Sequence, residues 1–299
     1  MKSSQALAEY ITTDTRGKWK NNILTFPVEL LSLSAQANAY YFGHPEWGRD
    51  YLEACHQDED LKARWQAVIG SWQSKIVVDI GCGPGNMYRA LRDCCGIPSL
   101  IIGVDFSEGA LEIAQELGYE TVLADAQRLP FVSGFADVVI LNATIHHSDD
   151  MESVLHEAAR IIRPGGLLLT DHDVQRSMWN NNPIAKLIWK LRLPFYQLIR
   201  RGGHATAEEQ YWSTTSETHH RPGDGVTRDF YHRILEPLGF DVQVYPHNRT
   251  VGASILEGDL GKADWNIRFA QRLCGVNPDS PEAALILMSV SRRHSLNSQ

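Results

Sequence analysis

No stretch of this chain approaches the ~20 consecutive apolar residues needed to cross a bilayer. The opening segment, MKSSQALAEYITTDTRGKWK, has no apolar centre of the kind a secretory leader requires. Cysteine is sparse. Cys55, Cys82, Cys94, Cys95 and Cys274 are odd in number, form no C-x-x-C and include an adjacent pair, which argues against a disulfide framework and against a zinc site. They read as small buried residues of a reducing compartment, and the expectation is a soluble, cytoplasmic protein. Cations are also in deficit. Lys and Arg total 28 against 36 Asp and Glu, for a net charge of −8, so nucleic acid is disfavoured as the main partner. There is no internal repeat and no low-complexity tract. What the chain does have is apolar residues, 43% against 21% charged, enough for a substantial core.

Between about residues 75 and 173 these apolar residues alternate in two periods. IVVDI, SLIIGVD, TVLAD, ADVVILN and GLLLTD are short apolar runs with the signature of buried strands. Between them, EGALEIAQELG sets Leu111, Ala114 and Leu117 on one helical face, with Gly118 as a stop. DDMESVLHEAARIIRPGG does the same with Val154, Leu155, Ala158 and Ile162. Asp149 and Glu152 suit its first turn, and Pro164-Gly165-Gly166 its end. Strands alternating with helices predict an α/β fold, a doubly wound parallel sheet covered on both faces. The alternation stops after Asp173. RDFYHRILEPLGF then reads as a helix, and DVQVY and EAALILMSV as the last strands.

The stretch KIVVDIGCGPGN follows a strand directly with Gly81, Gly83 and Gly85, which permit a tight turn and a close backbone approach to a ligand. A dinucleotide loop would place its third glycine at position 86, which is Asn86, and would not carry Asp79 beside a pyrophosphate. A dehydrogenase is therefore disfavoured. Asp79 suits a ligand with a positive amino-acid end. Asp105 closes the second strand and can accept from ribose hydroxyls. Asp125 closes the third and can accept from an adenine amino group, with the Ala126 N–H available to the ring. Acids at three strand tips describe a pocket for a nucleoside with a cationic tail and no phosphates. The opposing interpretation, ordinary strand-end turns, does not require three acids there.

The ordered set VVDIGCGPGN, GVDFSEGALEIA, ADAQRLPF, ADVVILNATIHH and EAARIIRPGGLLLTD resembles the class I S-adenosylmethionine-dependent methyltransferases. It is closest to the small-molecule branch that includes ubiquinone- and menaquinone-biosynthesis-type enzymes. The resemblance implies a seven-stranded sheet with an antiparallel last strand, and S-adenosylmethionine as cofactor. It also implies cofactor-binding roles for Asp79, Gly81, Gly83 and Gly85 at the methionine end, Asp105 at the ribose, Asp125 and Ala126 at the adenine, and Asn142 at the tip of strand four. The organisation expected is a helical N-terminal cap over residues 1–73, a cofactor-binding core over 74–173, an inserted lid over 174–225 and the remainder of the sheet over 226–299.

The acceptor is less constrained. Methyl transfer needs positioning and acceptor deprotonation, and His146 and His147, just past strand four, are candidate bases. A loop-shaping hydrogen bond is the plainer role for either. Asp171, His172, Asp173 and the pair His219-His220 could, with His146 and His147, reach the same sheet edge, where a metal held by nitrogen and oxygen ligands is conceivable; spacing alone is weak evidence for one, and no metal is assigned. Strand four ends in NATI, not the Asn/Asp-Pro-Pro-aromatic motif of amino-group nucleic-acid methyltransferases, which with the acidic charge favours a small-molecule acceptor; the expectation is methylation of an oxygen or carbon of a hydrophobic metabolite. In the insertion, residues 184–201 combine apolar Ile184, Leu187, Ile188 and Leu191 with Lys186, Lys190, Arg192, Arg200 and Arg201. Two roles fit: a lid over the pocket, or peripheral contact with an anionic membrane surface. The aromatics Tyr40, Tyr41, Trp47 and Tyr51 could cover the acceptor pocket or pack a core. A non-catalytic cofactor-binding subunit and a transferase using the sulfonium differently are the alternative functions.

Overall fold

A computed structural model of the chain describes residues 3–13, 17–28, 32–179, 198, 206–216 and 224–295. The centre of its sheet is built from β3 (Ile76–Ile80), β4 (Leu100–Asp105), β5 (Glu120–Leu123), β6 (Ala136–Asn142) and β7 (Ile162–Val174). They lie in the order β5-β4-β3-β6-β7, all parallel. Winding reverses at β3, so the loop after β3 and the tips of β4 and β6 open on one crevice, where such sheets bind ligands. Beyond β7 lie β8 (Phe240–His247) and β9 (Ile286–Arg293), with β9 antiparallel between β7 and β8.

Among the described residues the sheet has nine strands, not the expected seven. The two extra strands come from the N-terminal segment, which is therefore not purely helical. β1 (Lys18–Lys20) and β2 (Ile23–Thr25) form a hairpin, and β2 pairs in parallel with β5 through Leu24 and Val122. Asn21 and Asn22 turn the hairpin at φ 51° and 61°, the left-handed pair that a two-residue turn of matching twist requires and that asparagine tolerates. Three-residue strands are too short to show a periodicity, which is why the sequence does not announce them.

Side chains alternate across the sheet into two apolar layers. Val78, Ile102 and Leu168 face the layer that holds Val154 and Leu155 of α7 (Met151–Ile161) and Phe230 and Tyr231 of α9 (Arg228–Leu235). Val77, Ile101, Leu167 and Leu169 face the layer that holds Leu61 and Trp65 of α4 (Glu59–Ile69) and Leu91 of α5 (Asn86–Cys95). Each fully buried aliphatic side chain contributes roughly 1.5–3 kcal/mol. Asp150 caps α7 by accepting from the Ser153 amide. The helix ends at Ile161, one residue before Ile162, which is extended and begins β7 beside Ala136.

Helices α2 (Leu33–Gly43) and α3 (Pro45–His56) lie over the crevice beside α6 (Glu108–Glu116). Of the insertion after β7, α8 (Ala207–Ser216) packs on α2. The amphipathic segment 184–201 lies outside the described residues except for Leu198. No helix among the described residues is long and apolar enough to cross a membrane.

Candidate active site

The loop after β3 folds back on β4. The Gly81 and Cys82 amides both donate to the Val104 carbonyl, at 2.8 and 3.1 Å. The Gly83 amide donates to Asp105 Oδ2 at 2.9 Å, and the Ser107 amide to Asp105 Oδ1 at 2.8 Å. Each carboxylate oxygen is thereby anchored yet keeps lone pairs for a ligand. Burial pushes the Asp105 pKa up, and the Ser107 and Gly83 N–H groups work against that shift. Gly83, at φ 52°, has nothing nearer than 3.7 Å to an added Cβ, so its backbone is open to the crevice.

Above this loop is a cavity of about 240 Å³. Gly81, Gly83, Asn86, Asp105, Asp125, Ala126, Asn142 and His147 all line it, together with Phe42 and Tyr51 from the helices above. Among the described residues no Lys or Arg lines it. Asn86 Oδ1 is buried there without a hydrogen-bond partner. Asp125 is set by accepting from the Gln127 amide at 2.9 Å.

Three of the expected site residues are not in the cavity wall. Asp79 is 1% exposed and accepts from the Tyr119 hydroxyl at 2.7 Å, while the Tyr88 amide donates to that same hydroxyl at 3.2 Å. It sits behind the glycine loop, tying strand to helix, and burial pushes its pKa up to about 7. Gly85 stands where an added Cβ would meet Leu117 at 2.8 Å and Tyr119 at 3.0 Å, so its small size serves packing. His146 is buried, with its backbone N–H and Nδ1 at 3.1 and 2.9 Å from Asp173 Oδ1.

Two of the histidines have defined proton positions. His147 Nδ1 is 3.2 Å from the Ser216 carbonyl oxygen, so Nδ1 carries the proton and Nε2 is the basic nitrogen of the neutral ring. His172 Nε2 faces Arg64 Nη2 at 3.4 Å, a donor only. Its Nδ1–H therefore donates to Asn142 Oδ1 at 3.0 Å. Burial, the largest cause, lowers the His172 pKa to about 3.

Asp171, His172 and Asp173 do not converge. Asp171 accepts from Arg64 Nε, Trp65 Nε1 and His247 Nε2, each at 2.8 Å, whereas Asp173 faces His146. Among the described residues no group of three or more His, Cys, Asp or Glu could hold a metal ion. His219 and His220 lie outside them.

The comparisons with known proteins agree with this geometry. Residues 78–170 match the model of a methyltransferase domain. A demethylmenaquinone methyltransferase of Staphylococcus aureus is 26% identical over 185 residues, 56% of this chain and 73% of that protein. A tRNA (carboxymethyluridine(34)-5-O)-methyltransferase of Arabidopsis thaliana is 32% identical over 123 residues, 39% of this chain. The chain spans only 29% of that protein's length. Among solved structures, the plantazolicin methyltransferase BpumL, in complex with a pentazolic desmethylPZN analog and SAH, has a TM-score of 0.52 at 14% identity, covering 88% of this chain and 96% of its own. That likeness is one of fold.

Residues 78–170 are a class I S-adenosylmethionine-dependent methyltransferase domain. Its cavity fits that cofactor. Acceptors stand at the strand tips and, among the described residues, the buried Asn86 Oδ1 lacks a donor and no Lys or Arg lines the cavity to hold a pyrophosphate. The site also contains, or rests on, residues that belong to no motif. Asn38 of α2 lines the cavity after spending its Nδ2 on the Ser34 and Ser216 carbonyls, at 3.0 and 3.2 Å. Arg64 and His247 belong to the buried network behind Asn142. All three fall in segments without motifs, and no spacing singles them out. Of the N-terminal aromatics, Tyr51 lines the cavity, whereas Tyr41 stacks on Trp47 and Tyr40 packs on Trp212.

Proposed function

We propose that the enzyme methylates an oxygen or carbon of a small, hydrophobic metabolite. The observation that carries this reading is the composition of one continuous cavity. Adenosyl-binding acceptors at Asp105 and Asp125 give way to an apolar wall of Val28, Ala35, Phe42 and Tyr51, with His147 in the lining. Net charge of −8 and the lack of Lys or Arg among the described residues of the cavity wall weigh against a tRNA acceptor, whose phosphates call for cations.

S-adenosylmethionine supplies an electrophilic methyl group on a sulfonium. In this reading Asp105 receives the ribose hydroxyls, Asp125 and Ala126 meet the adenine, and Asn86 Oδ1 accepts from the methionine amino group. His147 Nε2 would accept the proton that the acceptor O–H or C–H gives up on methylation. His146, held by Asp173, keeps the loop in shape. Cover from α2 and α3, whose Ala35, Asn38, Phe42 and Tyr51 line the cavity, favours the alignment of nucleophile and methyl carbon on which an in-line displacement depends.

The test is to incubate the protein with a trideuteromethyl donor and fractionated cell extract. A labelled low-molecular-mass apolar compound is expected. Label confined to RNA or to peptides would refute the reading.

A further inference from the structure

β7 breaks its pairing with β9 between Thr170 and Asp173. Within that irregularity His172 adopts φ 62°, a left-handed conformation that a residue with a bulky ring rarely occupies. Such bulges commonly re-aim a side chain. Here the bulge points the ring at Asn142 of the neighbouring strand. The far side of the ring is held by Arg64, which is itself fixed by Asp171 and by the carbonyls of Arg249 and Val251, at 3.2 and 3.1 Å. The Ala143 amide donates to the Asp171 carbonyl at 2.8 Å, locking the two strand tips together.

This chain of donors determines an orientation. Arg64 only donates, so His172 Nε2 accepts and Nδ1–H donates. Asn142 must then present Oδ1 to the histidine and Nδ2 elsewhere. Asn142 lines the cavity, and among the described residues its Nδ2 donates to none. The register of β3 and β6, Val78 with Val139 and Asp79 with Ile140, runs on to place Asn142 beside Gly81. Thr144 fills the space over Gly81, where an added Cβ would meet its Cγ2 at 2.4 Å. The amide donor therefore stands at the methionine end of the cavity, where a sulfonium or an ammonium would repel it and a carboxylate would receive it.

We infer that His172 is a positioning residue that locks the Asn142 amide as a hydrogen-bond donor to the carboxylate of the cofactor's amino-acid tail. The inference rests on the adenosyl reading of the cavity, and the experiment separates the two. Titration calorimetry is run with S-adenosylhomocysteine and with 5′-methylthioadenosine, which lacks the tail. The substitution His172→Ala is expected to weaken S-adenosylhomocysteine by about tenfold, as loss of a hydrogen bond to a charged group does, and to leave 5′-methylthioadenosine within about twofold. His172→Asn keeps a donor where Nδ1 stands and suits the positive φ, so it restores S-adenosylhomocysteine affinity. Asn142→Asp places a carboxylate against the tail carboxylate and reproduces the selective loss. Equal losses for both ligands, or no rescue by His172→Asn, would overturn the inference while leaving the cavity assignment intact. If the unaltered protein bound neither ligand, the cavity assignment and the inference would fall together.

Discussion

The carbonyl oxygen of Ser216 receives His147 Nδ1 at 3.2 Å, and it also accepts from Ser34 Oγ at 3.1 Å and Asn38 Nδ2 at 3.2 Å. One backbone group at the end of α8 thus joins the insertion to α2 and to the histidine in the cavity. With Nδ1 engaged, Nε2 is the nitrogen that can take a proton. His147→Gln is expected to lower turnover of the acceptor by on the order of 100-fold. S-adenosylhomocysteine affinity should stay unchanged, as measured by calorimetry. Undiminished turnover at saturating acceptor would show that the base lies elsewhere.

Asp105 does two things at once, holding the Gly83 and Ser107 amides and facing the cavity. Asp105→Ala should abolish the gain in melting temperature that S-adenosylhomocysteine gives the unaltered protein, because saturating ligand stabilises by mass action only while it binds. NAD should give no comparable gain with either form. A thermal shift in the variant equal to the parent's would remove the ribose assignment.

Stability should depend on pH through two buried acids. Burial raises Asp79 to about 7 and Asp173 to about 8. Both stay protonated in the folded state, whereas the unfolded chain loses these protons near pH 4. Between these values the folded state binds more protons, so their contribution is complete below about pH 4 and is lost as pH rises through 7 for Asp79 and 8 for Asp173. Asp79→Asn and Asp173→Asn should each flatten the fall in melting temperature between pH 5 and 8.5. Parallel curves for parent and variants would contradict the protonated assignment.

The Arg64–Asp171 pair is fully buried on both sides. Removing the cation alone leaves a carboxylate whose remaining partners are Trp65, His247 and the His172 amide. Arg64→Ala is expected to cost about 3–5 kcal/mol of unfolding free energy, since an uncompensated buried charge remains. Urea unfolding measures it. A loss below about 1 kcal/mol, the scale of a surface pair, would mean that the network is not closed to water.

How legible this was in the sequence depended on how local the signal was. The wound core could be read because its strands are continuous apolar runs and its helices carry caps such as Asp150, each a property of adjacent residues. Gly81, Gly83, Asp105 and Asp125 reach the cavity for the same reason, since a residue that ends a strand is carried to the sheet edge. Asp79 shows where that logic stops. It lies within β3, and whether a strand residue faces the crevice or the layer behind it depends on what packs there, in this case Tyr119 from forty positions away. His146 and His147 are neighbours, and only the fold separates the one held by Asp173 from the one that lines the cavity. Arg64 and His247 meet Asp171 across 107 and 76 positions, a distance over which no pattern within a segment can speak.

The hairpin at Asn21-Asn22 changes what the sheet presents at its margin. Without it the outer N–H and C=O groups of β5 would be left open, a template for another chain to extend. With it the sheet finishes on a strand of three residues, Lys18, Trp19 and Lys20, all facing solvent. A margin so short, with Lys20 turned to Glu108 at 2.8 Å, offers little backbone for a second molecule to pair with. A turn of two asparagines, far from the chemistry, thus decides how much open backbone the sheet leaves at that margin.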